Sequence, residues 1–294
     1  MQVVSTHSHL LSDAVDLDKI AESGMFSQVW LLGLHTGWNI RFNSGLYHPA
    51  SEEEMLEDAR RFPGFYLPFK WIDFNQGPDQ VDRAVERGFV GFKGIKPKLP
   101  YDDDKHLEIY ERISRYKTCM IFHTGHVSTP SYEDRVPGLG YDALNMSPST
   151  LLKIVKFFPD MTVVAAHCGV PWQNETVSTC FRSSPNFYMD ISGGEFSPVL
   201  TEFICKNALL SAALPNGATG ILADKLLYGM DVYFGHPQLH EDIRGELKRV
   251  LAWAKGIEES DAAWKDRLEN IFSGNAARVM KHNDLAPKSG NQSK

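Results

Sequence analysis

The sequence predicts a (β/α)8 barrel, an α/β fold of the TIM type. Three observations predict it. Eight short apolar runs, rich in β-branched and aromatic residues, recur about 37 residues apart along the chain. Helix signals fall between them. Several runs end directly in a histidine or an aspartate, the position that faces the mouth of such a barrel.

In order, the runs cover residues 2–6, 28–34, 65–72, 89–95, 118–122, 161–166, 186–191 and 225–230. They are mostly apolar throughout rather than alternating, which suits strands buried on both faces of a parallel sheet. Ser51-Glu52-Glu53-Glu54 opens a helix with a capping box, and that helix runs to Arg61 ahead of Phe62-Pro63-Gly64. A second helix over 80–87 stops at Gly88, a glycine suited to a C-cap. Helices over 149–158 and 198–213 stop before Pro159 and Pro215. A doubly wound open sheet is the alternative, but no Gly-x-Gly-x-x-Gly follows the first strand. Residues 1–285 are expected to form a single barrel domain and residues 286–294 a loose tail.

The chain has 294 residues, 43% of them hydrophobic and 23% charged, which excludes a disordered chain or a disulfide-stapled miniprotein. Its net charge of −7 argues against a nucleic-acid partner or an anionic membrane surface. No apolar stretch approaches the ~18 residues of a membrane span, and no basic segment leads into an apolar run at the N-terminus. Cys119, Cys168, Cys180 and Cys205 form no Cys-x-x-Cys pair and read as reduced thiols. A cytoplasmic protein acting on a small molecule, able to form a homo-oligomer, is the expectation.

The first run leads into Thr6-His7-Ser8-His9. Side chains two apart on a strand share a face, so both imidazoles could grip one metal ion. By itself the pair is weak, since about 0.4 such pairs arise by chance at this histidine content. Position strengthens it. Residues 119–122 run into His123, 163–166 into His167, and 226–230 into Asp231. At one barrel mouth these ends converge, and a nitrogen/oxygen donor set suits Zn²⁺, with Mn²⁺ or Fe²⁺ as alternatives.

These elements resemble the amidohydrolase superfamily, within it the branch that holds aminocarboxymuconate-semialdehyde decarboxylase. The matching pieces are His7-Ser8-His9, Gly91-Phe92-Lys93, His123-Thr124-Gly125, His167-Cys168-Gly169, Leu227-Tyr228-Gly229-Met230-Asp231 and Ser273-Gly274-Asn275-Ala276-Ala277-Arg278. The resemblance implies a distorted (β/α)8 barrel with one divalent metal, zinc in the first instance and manganese as the alternative, bound by His7, His9, His123 and Asp231. It implies His167 as an acid/base beside the metal. It also implies a second arrangement, in which a carboxylated Lys93 bridges two metals. The family usually carries Asp two residues before the first histidine; this chain has Ser5.

Lys93 otherwise reads as a salt-bridge partner of Asp231 or of a substrate carboxylate. Lys96, three further on, reads as a surface or loop residue, and His106 as an exposed member of a charged helix. His236-Pro237-Gln238-Leu239-His240 lacks the glutamate of a metalloprotease motif and reads as a solvated helix end. Two long loops, 35–49 and 124–147, would overhang the mouth. With Lys93, their residues Trp38, Arg41, His126 and Arg135 are the candidate substrate contacts.

The expected activity is hydrolysis of a small, carboxylated lactone, amide or ester through a metal-activated water, with Asp231 and His167 catalytic. The alternatives are metal-dependent non-oxidative decarboxylation of an aromatic or muconate-like acid, and a non-catalytic ligand-binding barrel.

Overall fold

A computed structural model describes residues 1–42, 45–127, 135–172, 175–176, 185–193, 223–235, 239–260 and 262–282. Its strands are β1 (Val4–Leu10), β2 (Gln28–Leu32), β3 (Ile40–Phe42), β4 (Gly45–Tyr47), β5 (Tyr66–Trp71), β6 (Gly91–Gly94), β7 (Cys119–His123), β8 (Thr162–Ala166), β9 (Phe187–Asp190), β10 (Leu226–Leu227) and β11 (Val232–Phe234). Its α-helices are α1 (Leu17–Glu22), α2 (Glu52–Arg61), α3 (Asp79–Arg87), α4 (Leu107–Arg115), α5 (Leu151–Phe157), α6 (Leu239–Ser260), α7 (Lys265–Glu269) and α8 (Asn275–His282).

Nine strands form one parallel sheet in the order β10-β9-β8-β7-β6-β5-β2-β1-β11. The sheet closes on itself. Thr6 N donates to Tyr228 O at 2.9 Å, just past β10, and Asp231 N donates to His7 O at 2.8 Å, just before β11. β11 then pairs with β1, with Ser8 opposite Val232. β10 and β11 are thus two halves of one eighth strand, interrupted at 228–231, and the predicted (β/α)8 barrel is the fold. All eight predicted runs contribute a strand; the first extends to Leu10 and carries His7 and His9, as expected.

Alternate strand residues fill the barrel interior, among them Trp30, Leu32, Leu67, Phe69, Cys119, Ile121, Val164 and Ala166. Ala276, Val279 and Met280 of α8 join that cluster. A second core lies between the sheet and the helices, with Ile20, Met55, Val81, Ile109, Ile113 and Ile154 facing inward. Ser51 Oγ accepts from Glu54 N at 3.2 Å while Ser51 N donates to Glu54 Oε2 at 2.7 Å, the capping box expected at the start of α2. Gly88 takes φ +104° at the end of α3, a conformation that favours glycine.

The structure also departs from the sequence expectations. The loop 35–49 carries an antiparallel hairpin, β3–β4, with Arg41 opposite Leu46. His106 is 2% exposed, not solvated: its ring lies 4.7 Å from that of Phe74. Lys96 is also buried, because the strand ends at Gly94 and the backbone turns to φ +54° at Lys96, which voids the alternation that placed it outside. The predicted helix over 198–213 and the tail 286–294 lie outside the described residues. Among the described residues no helix is long and apolar enough to cross a membrane.

The motif around Asn275 has a structural task. Asn275 is fully buried, and its Nδ2 donates to Ala223 O at 2.8 Å and to Leu226 O at 2.6 Å, holding the start of the interrupted strand. Arg278 in turn donates to Asn275 Oδ1. Asn275→Ala should therefore cost about 2–4 kcal/mol, since two buried carbonyls lose their donor. Thermal unfolding followed by circular dichroism would read this as a lower Tm; an unchanged Tm would show that the strand does not depend on Asn275.

Candidate active site

β1 is buried along its whole length, so His7 and His9 are packed on all sides. Each ring has its Nδ1 committed. His7 Nδ1 lies 2.9 Å from Asp190 Oδ2. The other Asp190 oxygen accepts from His167 N at 2.9 Å, Ser192 N at 3.1 Å and Ser192 Oγ at 2.5 Å, so this ionised carboxylate can only accept and His7 Nδ1 carries the proton. His9 Nδ1 donates to Leu32 O at 2.8 Å. In its neutral form each ring then offers Nε2 as a lone-pair acceptor. Asp231 Oδ1 faces them, 3.2 Å from His9 Nε2 and 3.5 Å from His7 Nε2.

Three acceptors pointed at one another repel unless something positive stands between them. One nearby cation is Lys93, fully buried, whose Nζ donates to His7 Nε2 at 3.1 Å. Burial lowers the Lys93 ammonium to about 8, against the pull of Asp190 and Asp231. Burial, with Lys93, lowers His7 to about 3, so its ring is neutral at neutral pH. Burial alone would raise the Asp190 carboxyl, but the hydrogen bonds it accepts from His7 and Ser192 hold it far below the usual carboxylate range. Two imidazole nitrogens and one carboxylate oxygen, mutually within 4.8 Å, fit a divalent cation. Asp190 orienting His7 is the outer carboxylate such a site requires.

A second pair stands beside this group. His123 Nε2 is 3.1 Å from His126 O, a carbonyl that only accepts, so Nε2 carries the His123 proton. Burial, then His167 and Lys93, keep His123 well below its ordinary value and hence neutral. Its Nδ1 is then an acceptor, 3.1 Å from His167 Nε2. His167 Nδ1 faces Ser192 O at 3.2 Å and Ser192 Oγ at 3.0 Å. Both nitrogens of His167 therefore face acceptors, and its ring lies 4.7 Å from that of His7. His167 and Asp231 both sit in the left-handed region, at φ +59° and +55°. Such backbone costs about 1 kcal/mol or more for a non-glycine residue and clusters at functional sites.

The structure thus brings together His7, His9 and Asp231, and places His167 against them. His123 belongs to neither compact three-residue group, the second being His7, His167 and Asp190; it touches the cluster through His167. Among the rim candidates, Arg41 is exposed on β3, and His126 is exposed with its ring stacked on Trp172 at 5.2 Å. Arg135 is exposed beside the Tyr141 ring at 5.5 Å, and Trp38 lies over Lys96. Sequence reasoning passed over Asp190 and Ser192. The signal was present: Phe187-Tyr188-Met189 runs into Asp190 just as the other apolar runs end in His123 and His167.

The amidohydrolase family model matches residues 49–281. The chain belongs to the amidohydrolase family. Asp231, His123, His167 and Asp190 of this amidohydrolase fall inside the matched span, while His7 and His9 precede it. No curated protein matches the sequence. Solved structures are similar over nearly the whole chain. 2,6-Dihydroxybenzoate decarboxylase from Rhizobium is 15% identical, covering 96% of this chain and 99% of its own, at a TM-score of 0.59. A probable 2-pyrone-4,6-dicarboxylic acid hydrolase from Acinetobacter baumannii, with citric acid bound, is 10% identical, covering 96% and 100%, at 0.58. 5-Carboxyvanillate decarboxylase from Novosphingobium aromaticivorans, complexed with manganese and a nitrobenzoic acid, is 13% identical, covering 90% and 79%, at 0.52. These likenesses are of fold.

The His7 assignment is measurable in this amidohydrolase. Nitrogen NMR should show one neutral tautomer, protonated at Nδ1, from about pH 5 to pH 8. Unfolded, the ring binds a proton near its ordinary 6.5; folded, only near 3. Stability should therefore rise with pH through that window and fall on acidification. A ring that titrates near 6.5 in the native state would contradict the sealed site.

Proposed function

We propose that this amidohydrolase is a metal-dependent hydrolase of a small carboxylated lactone, amide or ester. One observation carries the reading: the Nε2 atoms of His7 and His9 and Asp231 Oδ1 converge while both Nδ1 protons are committed elsewhere. Two imidazoles and a carboxylate so arranged hold one divalent cation, zinc or manganese. Bound there, it would supply Lewis-acid polarisation at the barrel mouth.

The chain's own groups supply the rest. The Asp231 side chain is 23% exposed, so it meets the mouth while remaining ionised, and it accepts the proton that an attacking water releases. His167, with acceptors at both nitrogens, is arranged to donate, and it stabilises the negative charge that develops on the substrate oxygen. Ser192 and Asp190 fix its ring and backbone. Lys93 places a buried positive charge beside His7, which favours a substrate bearing a carboxylate.

The donor polarity of His167 also suits protonation of a carbon, which supports decarboxylation of an aromatic or muconate-like acid as a second reading. The likeness to two decarboxylases agrees with it.

Elemental analysis of purified chain should find one divalent metal, absent from His9→Ala and Asp231→Ala, both without turnover. Retained metal and turnover in either variant would overturn the assignment. His123→Ala separates two roles: lost metal makes His123 a fourth ligand, whereas retained metal with lost turnover makes it the residue that positions His167. Incorporation of oxygen from labelled water into product is expected; carbon dioxide release without it would replace hydrolysis by decarboxylation.

A further inference from the structure

Lys96 lies on the same rim as the histidine cluster, two residues past the end of β6. Its side chain is 1% exposed, and among the described residues its Nζ has no hydrogen-bond partner and no carboxylate within ion-pair distance. Two rings enclose it. The Trp38 ring centroid, from the loop after β2, is 3.5 Å from Nζ, and the Tyr141 centroid, from the loop after β7, is 4.7 Å away. Aromatic faces attract a cation but do not neutralise it. A buried ammonium lacking both an anion and a hydrogen-bond acceptor is among the costliest arrangements a fold can hold. Burial accordingly pushes Lys96 down to about 7, so a substantial share carries charge at neutral pH.

The placement is built, not incidental. Lys96 adopts φ +54°, and its carbonyl accepts from Gly140 N at 2.8 Å, which ties the loop after β6 to the loop after β7. A Cβ on Gly140 would stand 2.0 Å from Pro97 O, so only glycine permits that approach. On the opposite side, Trp38 N donates to His35 O at 2.9 Å, and Gly37 N donates to His35 Nδ1 at 3.0 Å, holding the tryptophan in its turn. Arg135 lies against Tyr141 as well, which adds a second positive charge at the edge of the enclosure. Lys93 does not fill this role, because its Nζ already donates to His7.

We propose that Lys96, enclosed by Trp38 and Tyr141, is a carboxylate-recognition subsite that binds an acidic group of the substrate remote from the bond being cleaved. The unsaturated or aromatic frame carrying that carboxylate lies against Trp38. This rests on the metal-dependent reading of the site and deepens it: the substrate presents one group to the His7, His9 and Asp231 cluster and a second, anionic group to Lys96. Selectivity at this end of the substrate then lies in a charge match at Lys96.

The test is calorimetric titration of the metal-loaded full chain with benzoate and with the three benzene dicarboxylates. At least one dicarboxylate should bind ten-fold or more tightly than benzoate. Lys96→Met, which keeps the volume and removes the buried charge, should abolish that ratio with metal content and fold unchanged and Tm equal or higher. Lys96→Arg should retain at least part of it. Equal binding of benzoate and every dicarboxylate by the natural chain would overturn the subsite, as would a ratio that survives Lys96→Met, or a Lys96→Met protein that loses metal. A natural chain without metal that still shows a Lys96-dependent ratio would instead overturn the metal reading and leave the subsite standing.

Discussion

The site depends on where two protons reside. His7 Nδ1–H donates a hydrogen bond to Asp190, and His9 Nδ1–H donates one to the backbone carbonyl of Leu32. With those bonds in place both Nε2 atoms are left facing the pocket, within 3.5 Å of the Asp231 carboxylate, and His7 Nε2 there accepts from Lys93. Without them either imidazole could turn its N–H toward Asp231, and the same three side chains would form an ordinary hydrogen-bonded cluster with no affinity for a cation. The ionised state of Asp190 and the clustering of acceptors follow from this pair of bonds, while the neutrality of His7 comes from its burial and from the charge of Lys93.

Those bonds require the barrel to be closed at one seam. Asp190 ends β9, while His7 and His9 stand on β1; the short piece of chain between β10 and β11 joins them. Gly229 lies in it, and a Cβ there would meet His7 Cβ at 2.7 Å, so the seam runs directly behind the first histidine. The chain bends at this point, delivers Asp231 to the mouth, and resumes as β11 against the upper half of β1. The break in the eighth strand is therefore what aims the carboxylate, and Asn275 steadies it from α8 at the opposite end of the strand.

Much of this was legible in the sequence. A parallel strand buried on both faces must be apolar without interruption, and residues 119–122 and 161–166 announce themselves that way. The rule that barrel chemistry sits at strand ends then selects His123, His167 and Asp231 before any coordinates. Three things escaped. Asp190 ends its strand in the same way, but an acid after Phe187-Tyr188-Met189 draws less notice than a histidine. Lys96 was misplaced because strand alternation was carried past Gly94, where the strand had already ended. His106 was misplaced because charged neighbours in sequence say nothing of the ring of Phe74 against which it packs. No pattern could reveal Leu32 O as the partner of His9, since every residue has a carbonyl and only the fold chooses among them.

Lys96, His167 and Asp231 share a backbone peculiarity, each taking a positive φ where a chain leaves the barrel. Few side chains tolerate that turn: glycine freely, asparagine and aspartate with modest strain, valine, isoleucine and threonine scarcely at all. Laboratory diversification of these three sites would thus sample a narrow alphabet, with most branched replacements rejected for conformation before chemistry is tried. New specificities would more readily be found at Trp38 and Tyr141 themselves, neither of which takes a positive φ.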